Sequence, residues 1–276
     1  MTAREAWRAA AQRMQAAGVE DADFDAVQLV RFVTGFDGRS EAEVTPEQLT
    51  ALEKLVDRRC AREPLQYLLG EWDFLDLTLT VGPGVLIPRA DTELVAQQAM
   101  EAAGAFEAPR VADLCSGSGA IALGVARHVP GAQVTAVELS PQALAYLQEN
   151  NRRCGSPLAV VQADVFCWQE AVRDESFDVI VSNPPYITAS EMETLAPELD
   201  FEPRMALEAP ENGLAFYRHI APAYFSKLSP GGALVFEIGW QQGQAVAEIC
   251  RQAGYTNVQL VQDLEGRDRC VRARRP

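Results

Sequence analysis

The chain has 276 residues, of which 48% are hydrophobic and 23% charged, as is usual for globular proteins. This composition excludes a disordered chain, and no apolar run approaches the roughly 20 residues that cross a bilayer. Asp and Glu number 39 against 24 Lys and Arg, so the formal net charge is −15. Such a field repels phosphate backbones and anionic lipids, and we therefore expect neither nucleic acid nor membrane as a direct partner.

The cysteines and the first residues indicate the compartment. The six cysteines form no C-x-x-C pair, and the chain has only two histidines. We therefore expect neither a metal site nor a disulfide framework. The first residues carry charges throughout and lack the apolar run of a secretory signal. These features favour a cytoplasmic protein.

Residues 1–70 are predicted to form a small helical bundle. Apolar residues recur there at helical spacing, beginning with Trp7. The third helix has a sharp predicted start, because Thr45 suits the N-cap, Pro46 the first helical position and Gln48 the capping box. We take this bundle as the first domain.

A change of period marks a linker over residues 71–90. Residues 72–81 alternate imperfectly between apolar and polar, and glycine and proline at 82–84 end the run. This pattern predicts a β-hairpin. Asp91 is predicted to open the next helix, and we assign residues 91–276 to a second, catalytic domain.

Beyond Arg110, short apolar runs alternate with helical stretches, one of which begins at Ser140-Pro141. This alternation predicts an α/β fold whose mostly parallel sheet has helices on both faces. Two final apolar runs are predicted to add an antiparallel edge, which gives seven strands. In chain order the runs are 111–114, 134–137, 159–161, 179–181, 234–238, 258–261 and 269–273.

The first of these strands leads into a glycine-rich loop. Gly117 and Gly119 let the backbone turn tightly and approach a ligand closely. Asp113 lies at the carboxyl end of this strand, where open α/β sheets bind ligands, and Glu138 ends the next strand, where it suits ribose hydroxyls. The pattern indicates a nucleoside cofactor. It also fits the dinucleotide fingerprint, so this loop alone leaves a dehydrogenase and a turn without a ligand open.

The fourth strand ends in the sequence Asn183-Pro184-Pro185-Tyr186. The prolines lack N–H donors and stiffen the backbone, so the carbonyls near Asn183 and Pro184 are expected to be free acceptors. The Asn183 amide oxygen is another acceptor, and Tyr186 offers a flat apolar face. Two acceptors that hold an NH₂ group orient its nitrogen, which methyl transfer to a poor amide nucleophile requires. Together with the glycine loop, this motif favours a methyltransferase over a dehydrogenase.

The same motif resembles that of amino-methyltransferases that use S-adenosylmethionine. Three further segments are similar to the HemK-type protein glutamine methyltransferases, which modify the Gly-Gly-Gln glutamine of bacterial peptide chain release factors. The segments are LIPRADTE at 86–93, FEPRMAL at 201–207, and FEIG at 236–239 with QQG at 241–243. The likeness covers essentially the whole chain.

The resemblance implies a Rossmann-like S-adenosylmethionine-dependent methyltransferase fold, S-adenosylhomocysteine as product, and an N-terminal domain that recognises the substrate protein. It places the glutamine amide against Asn183 and the Pro184 carbonyl, with Pro185 in the same catalytic motif and Tyr186 lining the amide slot. The cofactor residues that it implies are Asp113, Cys115, Ser116, Gly117, Ser118, Gly119, Glu138, Asp164, Val165, Phe166 and Asn183.

The chain departs from the family pattern at two positions. Cys115 stands where the first glycine of the loop is usual, and Ala90 replaces a common proline. We expect a modest backbone adjustment at Cys115 that a non-glycine residue tolerates, without loss of cofactor binding. We also expect its thiol to be packed, not reactive, because no base lies beside it in sequence.

The expected partners are peptide chain release factors, and the chain is expected to act as a monomer. A glutamine methyltransferase for a ribosomal protein would share the same chemistry and remains an alternative. The acidity disfavours a nucleic-acid methyltransferase, and the intact motif disfavours an inactive cofactor-binding scaffold. The cluster Asp91-Thr92-Glu93 has two interpretations: either Asp91 caps a helix, or the cluster and Arg89 shape the substrate entrance.

Overall fold

The computed structural model describes residues 1–155 and 158–276. The described chain divides into two compact units. Unit 1 comprises Met1–Glu71 and Ala196–Phe201, and unit 2 comprises Trp72–Leu195 and Glu202–Pro276. The first unit thus contains the predicted helical region together with a short piece of chain from much later in the sequence.

Unit 1 is helical, as the sequence predicts. Its helices are α1 (Ala3–Ala16), α2 (Ala22–Thr34), α3 (Pro46–Cys60) and α4 (Leu65–Leu69). The predicted start of α3 is confirmed, since the Gln48 N–H donates to Thr45 Oγ1 at 3.3 Å and the Thr45 N–H donates to Gln48 Oε1 at 3.0 Å. Met14, Leu29 and Val30 are fully buried between the helices.

An ionic network joins the later segment of unit 1 to its helices. Arg59 on α3 is buried and donates to Asp25 at 2.6 Å and to Glu198 at 3.0 Å. Arg62 donates to the second oxygen of Glu198 at 2.8 Å. Glu198 is the residue through which the segment Ala196–Phe201 forms these ion pairs.

Unit 2 begins with the predicted hairpin. Strands β1 (Glu71–Phe74) and β2 (Leu77–Thr80) form a two-stranded sheet, and helix α5 (Ala90–Ala103) follows. The capping interpretation of Asp91 is wrong, because Arg89 occupies the N-cap of α5 and no side chain caps it. Asp91 lies in the first turn and instead forms an ion pair with Arg269 at 3.0 Å.

The central sheet of unit 2 confirms the predicted topology. Its strands are β3 (Arg110–Leu114), β4 (Gln133–Glu138), β5 (Ala159–Gln162), β6 (Phe177–Ser182), β7 (Leu228–Glu237), β8 (Thr256–Gln262) and β9 (Asp268–Arg274). In the described part of the chain it has seven strands, in the order β5-β4-β3-β6-β7-β9-β8. Strands β3 to β7 pair in parallel, and β9 pairs antiparallel with both β7 and β8.

Helices cover both faces of this sheet. The helices in the described part of unit 2 are α5 together with α6 (Ala120–His128), α7 (Pro141–Cys154), α8 (Val165–Trp168), α9 (Ala189–Met192), α10 (Pro210–Gly213), α11 (Ala215–Ala223) and α12 (Gly243–Gln252). Alternate residues of β6 show the two faces: Val179 and Val181 pack into the core with α5 and α6, and Ile180 packs into the core with α11 and α12. No helix among the described residues is long and apolar enough to span a membrane.

The predicted start of α7 is confirmed, since Ser140 caps it and Pro141 follows. The strand order reverses between β3 and β6: from β3 the chain builds the sheet toward β5, then returns to β6 on the other side of β3. Open α/β sheets bind ligands beside the carboxyl ends of the strands at such a reversal. Both the glycine loop after β3 and the NPPY sequence after β6 lie there.

Candidate active site

A cavity of about 230 Å³ opens at the carboxyl edge of β3, β4 and β6. The predicted residues that line it are Cys115, Ser116, Gly117, Ser118, Glu138, Asp164, Val165, Phe166, Asn183 and Pro185. Four other predicted residues are not part of its wall: Asp113, Gly119, Pro184 and Tyr186. The structure therefore brings most of the predicted cofactor residues and part of the NPPY motif to one cavity.

The glycine loop takes a left-handed backbone at alternate residues. The φ angles are 62° at Cys115, 56° at Gly117 and 86° at Gly119. We expected the backbone at Cys115 to adjust to a conformation that a non-glycine residue tolerates, and it does not. Cys115 has a conformation that favours glycine, which costs the folded state about 1–2 kcal/mol. Burial raises the pKa of the Cys115 thiol, so it stays protonated at neutral pH, which agrees with a packed side chain.

Two carboxylates hold this loop in place. Glu138 accepts the Gly117 N–H at 2.8 Å with one oxygen and the Ser140 N–H at 2.7 Å with the other. Asp113 is buried behind the loop, where its Oδ2 accepts the Ala122 N–H at 3.1 Å in the first turn of α6. Burial raises the pKa of Asp113 to about 7. Its Oδ1 has no partner among the described residues.

An aromatic group forms another part of the cavity. Asp164 caps α8 by accepting the Phe166 N–H at 2.9 Å. The Phe166 ring is partly exposed and contacts two rings of α11, with centroid distances of 5.0 Å to Phe216 and 4.6 Å to His219. A flat apolar surface next to a carboxylate suits a purine base, whose ring stacks and whose amino group donates.

The NPPY motif is held by separate segments of unit 2. Asn183 Nδ2 donates to Thr92 Oγ1 on α5 at 3.3 Å. The Leu207 carbonyl accepts from the backbone N–H of Tyr186 at 3.2 Å and from that of Ile187 at 2.9 Å. Gln242 Nε2 donates to the Tyr186 carbonyl at 3.0 Å. Each of the three segments that carry the family resemblance thus supplies a contact to this motif.

Tyr186 points into the protein and not into the cavity. Its hydroxyl donates to Glu237 Oε1 at the end of β7 at 3.3 Å, and burial raises the pKa of its phenol. Its predicted place beside the substrate amide stays a prediction. In the described residues, no loop or turn N–H donates to the carbonyls of Asn183 or Pro184, as expected for free acceptors.

Arg89 takes part in a second link between resemblance segments. Glu202 is buried and accepts the Ile87 N–H at 2.9 Å with one oxygen, while its other oxygen pairs with Arg89. This pair fixes the chain just before α5 against the segment that follows β6. Pro203 and Met205, one and three residues after Glu202, line the cavity.

The chain is similar to known proteins along its whole length. Residues 5–70 match the PrmC N-terminal domain family, and residues 90–201 match the methyltransferase small domain family. A release factor glutamine methyltransferase of Moorella thermoacetica is 39% identical over 100% of this chain and 99% of its own length. One of Geobacter sulfurreducens is 41% identical over 93% of this chain and 91% of its own length.

The chain belongs to the release factor glutamine methyltransferase family. The resemblance inferred from its motifs is therefore confirmed. Among solved structures, a methyltransferase from Pyrococcus furiosus matches with a TM-score of 0.54 at 17% identity over 72% of this chain and 89% of that chain. The 16S rRNA N2 G1207 methyltransferase of T. thermophilus matches with a TM-score of 0.53 at 19% identity, over 75% and 50% respectively. These two matches show the fold alone.

The cavity of this family member suits S-adenosylmethionine by its own chemistry. A side chain added at Gly117 would meet no protein atom within 4 Å, so the glycine leaves open space beside the cavity. Glu138 and Asp164 offer acceptors for hydroxyl and amino groups, and Phe166 offers a surface for a ring. The residues present thus fit the nucleoside part of S-adenosylmethionine.

Sequence reasoning missed several residues of the cavity wall. They are Gly84, Val85, Leu86, Pro88, Ala120, Ile121, Val137, Leu139, Ser140, Ala143, Ala163, Pro203, Met205, Ala206 and Phe216. Several of them lie in the segments that resemble the family, so that resemblance could have pointed to them as candidates. Phe216 on α11 carries no local signal, because it lies far along the chain from both motifs and reaches the cavity wall, where it contacts Phe166, only in the folded protein.

Proposed function

We propose that the protein transfers a methyl group from S-adenosylmethionine to the side-chain amide nitrogen of the Gly-Gly-Gln glutamine in peptide chain release factors. The observation that carries this proposal is the orientation of Asn183 at the cavity wall. Its Nδ2 donates to Thr92, and no described residue donates to its Oδ1. That oxygen is therefore available to a substrate N–H.

The proposed reaction depends on positioning. An amide nitrogen is a weak nucleophile because its lone pair is delocalised into the carbonyl. Asn183 Oδ1 and the Pro184 carbonyl accept the two N–H donors of the glutamine, which orients the nitrogen and raises its electron density. S-adenosylmethionine, when bound, supplies a methyl group on a positively charged sulfur. The amide nitrogen would form a bond to the methyl carbon while the bond from that carbon to sulfur would break. The electron pair of that bond would stay on sulfur, which becomes a neutral thioether, and the nitrogen would release one proton to water.

The surroundings of the motif support this assignment. Pro185 lines the cavity and cannot donate a hydrogen bond, so it does not compete with the substrate for acceptors. The Leu207 carbonyl and Gln242 hold the backbone of Tyr186, so the acceptors keep their places when the substrate leaves. Preorganised acceptors of this kind lower a barrier without reorganising during the reaction.

The likeness along the whole chain supports release factors as the substrate. Unit 1 adds a candidate recognition surface, since Phe24, Phe32 and Phe36 on and after α2 are all exposed. We propose that these exposed aromatic side chains contact the substrate protein. We also propose a cytoplasmic location, which the six free cysteines of the described structure support.

A methyl-transfer assay with labelled S-adenosylmethionine tests the proposal. Purified release factors, ribosomal proteins and RNA are offered side by side, and the label is mapped by mass spectrometry. We expect label on the Gly-Gly-Gln glutamine of a release factor. Label on ribosomal protein or RNA alone would refute the substrate, and no label despite measurable cofactor binding would refute the activity.

The variant Asn183→Ala isolates the role of the motif. We expect methyl transfer to be lost while the affinity for S-adenosylhomocysteine, measured by calorimetry, changes by less than about threefold, because the glycine loop remains intact. Normal turnover in this variant would show that the amide oxygen of Asn183 does not hold the substrate.

A further inference from the structure

The chain between β2 and α5 is held along one face of helix α7. Ala143, Tyr146 and Asn150 are spaced three and four residues apart, so they lie on the same side of this helix. Val81 and Val85 are buried in a small apolar cluster with Ala143, and Tyr146 packs against this cluster. We call the chain that these contacts hold the β2–α5 connection.

Asn150 is fully buried and uses both donors of its amide group. Its Oδ1 accepts the Thr80 N–H at 2.7 Å, and its Nδ2 donates to the Thr80 carbonyl at 3.0 Å. The same Nδ2 donates to the Ser118 carbonyl at 3.0 Å. The amide therefore bonds to the last residue of β2 much as a neighbouring strand would, and at the same time it bonds to the glycine loop.

The two partners of Asn150 belong to different parts of the cavity wall. Ser118 lines the cavity as a member of the glycine loop. Thr80 leads directly into the β2–α5 connection, in which Gly84, Val85, Leu86 and Pro88 line the cavity as well. Because one rigid amide group bonds to both, it sets the distance between the glycine loop and the start of the connection.

We propose that Asn150 is a positioning residue for S-adenosylmethionine, which keeps the glycine loop and the β2–α5 connection at the separation that the cofactor requires. The inference rests on the proposed function, in which this cavity binds S-adenosylmethionine. Among the described residues, Asn150 is not part of the cavity wall, so it acts through Ser118 and through the connection.

The three hydrogen bonds require an amide at this position. A carboxylate of the same size only accepts, so it would place an acceptor against the carbonyl oxygens of Thr80 and Ser118. A serine hydroxyl has a single proton and could donate to only one of these carbonyls. Loss of the Asn150 amide therefore leaves buried backbone groups unpaired and releases the glycine loop from the connection.

Asn151 provides a matched control, because it makes the same kind of contact elsewhere. Its Oδ1 accepts the Leu158 N–H at 3.2 Å, and its Nδ2 donates to the Leu158 carbonyl at 3.4 Å. Leu158 directly precedes β5, whereas the cavity opens at the carboxyl edge of the sheet. Replacing Asn151 thus measures the structural cost of losing such a contact without a change near the cavity.

Asn150→Ala and Asn151→Ala are compared by calorimetry with S-adenosylhomocysteine, at a temperature at which circular dichroism shows both variants to be folded. We expect the dissociation constant to rise at least about tenfold in Asn150→Ala and less than about threefold in Asn151→Ala, because only the first variant loosens the cavity wall. Asn150→Asp, which keeps the size of the side chain but loses both donors, should also weaken binding at least about tenfold.

Kinetics separate positioning from a loss of folded protein. In Asn150→Ala we expect the KM for S-adenosylmethionine to rise about tenfold, with kcat at saturating cofactor within about threefold of the wild type, because the NPPY motif is unchanged. A variant that is partly unfolded would instead show a lower kcat at an unchanged KM. That second pattern would contradict the inference.

Hydrogen exchange in the wild-type protein tests the same link without a substitution. The Thr80 N–H bonds to Asn150, and the Leu158 N–H bonds to Asn151. Saturating S-adenosylhomocysteine should slow exchange at Thr80 about tenfold more than at Leu158, because a ligand that holds the glycine loop also holds the Asn150 amide. Stabilisation of the whole protein by the ligand would slow both amides by the same factor.

The outcomes distinguish this inference from the proposed function. A wild-type protein that does not bind S-adenosylhomocysteine refutes the cofactor assignment of the proposed function. A wild-type protein that binds it, together with an Asn150→Ala variant within about threefold of the same dissociation constant, refutes only the role of Asn150. Equal losses of affinity in Asn150→Ala and Asn151→Ala also overturn that role. If Asn150→Ala does not fold, exchange at Thr80 and Leu158 decides, and equal slowing of the two amides refutes the link.

Discussion

Replacing each of the two glycines of the cofactor loop by alanine is predicted to change different properties, the stability of the protein in one variant and its affinity for S-adenosylhomocysteine in the other. Both have left-handed backbones, with φ of 56° at Gly117 and 86° at Gly119. A methyl group at Gly117 would meet no protein atom within 4 Å, whereas one at Gly119 would clash with Leu147 Cδ1. Leu147 is fully buried in the core, so its side chain has to shift against packed neighbours to make room. The pair therefore separates the backbone cost from the packing cost.

The magnitudes follow from these two terms. An alanine in the left-handed region costs about 1–2 kcal/mol, which applies to both variants. Overpacking against a buried leucine adds about 1–3 kcal/mol in Gly119→Ala alone. We therefore expect the free energy of unfolding to fall by about 1–2 kcal/mol in Gly117→Ala and by about 2–5 kcal/mol in Gly119→Ala. The affinity for S-adenosylhomocysteine should fall more in Gly117→Ala than in Gly119→Ala, since Gly117 lines the cavity and Gly119 does not.

Urea denaturation followed by circular dichroism measures the first effect, and calorimetry with S-adenosylhomocysteine measures the second. We expect Gly117→Ala to lose at least about tenfold in affinity, while folded Gly119→Ala stays within about threefold of the wild type. Equal losses of stability in the two variants would show that Leu147 yields to the added methyl group. An unchanged affinity in Gly117→Ala would show that the cofactor does not approach this part of the loop.

Two further predictions concern the titration and exposure of buried groups. Iodoacetamide at pH 8 should modify the exposed Cys167 well before Cys115, because burial raises the pKa of the Cys115 thiol; faster modification of Cys115 by peptide mapping would contradict its packed role. Burial raises the pKa of Glu237 from 4.5 to about 7, so the folded state binds a proton more tightly and its stability falls as pH rises between these values. Relative to Glu237→Gln, the wild type should lose about 2–3 kcal/mol of unfolding free energy between pH 5 and pH 8, and a constant difference would refute the burial argument.

Local patterns were sufficient for the elements of the fold. Helices α3 and α7 both begin where the sequence predicts. Their caps, the capping box at Thr45 and Gln48 and the side chain of Ser140, involve only residues that are close together in the sequence. Local patterns do not predict that Ala196–Phe201 belongs to unit 1. That membership depends on Glu198 reaching Arg59, a residue 139 positions earlier, and no periodicity in either segment encodes such a pairing.

One part of the candidate site could likewise be predicted from local sequence patterns, and another part could not. The glycine loop and the NPPY motif each follow a strand directly, so their place at the sheet edge could be predicted. The residues that hold them could not, because Thr92 and Gln242 reach the motif only once α5 and the loop after β7 have packed. The interpretation of Asp91 as a cap, one of the two left open by the sequence, was wrong for a related reason. Arg269 on the distant strand β9 offers it a charged partner that the local sequence does not reveal.

The glycine loop and the NPPY motif, the two halves of the site, have one structural feature in common. A buried carboxyl group lies behind each half: Asp113 behind the glycine loop and Glu237 behind the NPPY motif. Each has a pKa raised by burial to about 7 and one oxygen without a partner among the described residues. Such groups weaken the folded state, and they are concentrated where a reaction needs fixed hydrogen-bond directions. Methyl transfer to an amide depends on the placement of weak hydrogen-bond partners, so the contacts by which Asp113 holds the glycine loop and Glu237 holds Tyr186 offset part of that lost stability in function.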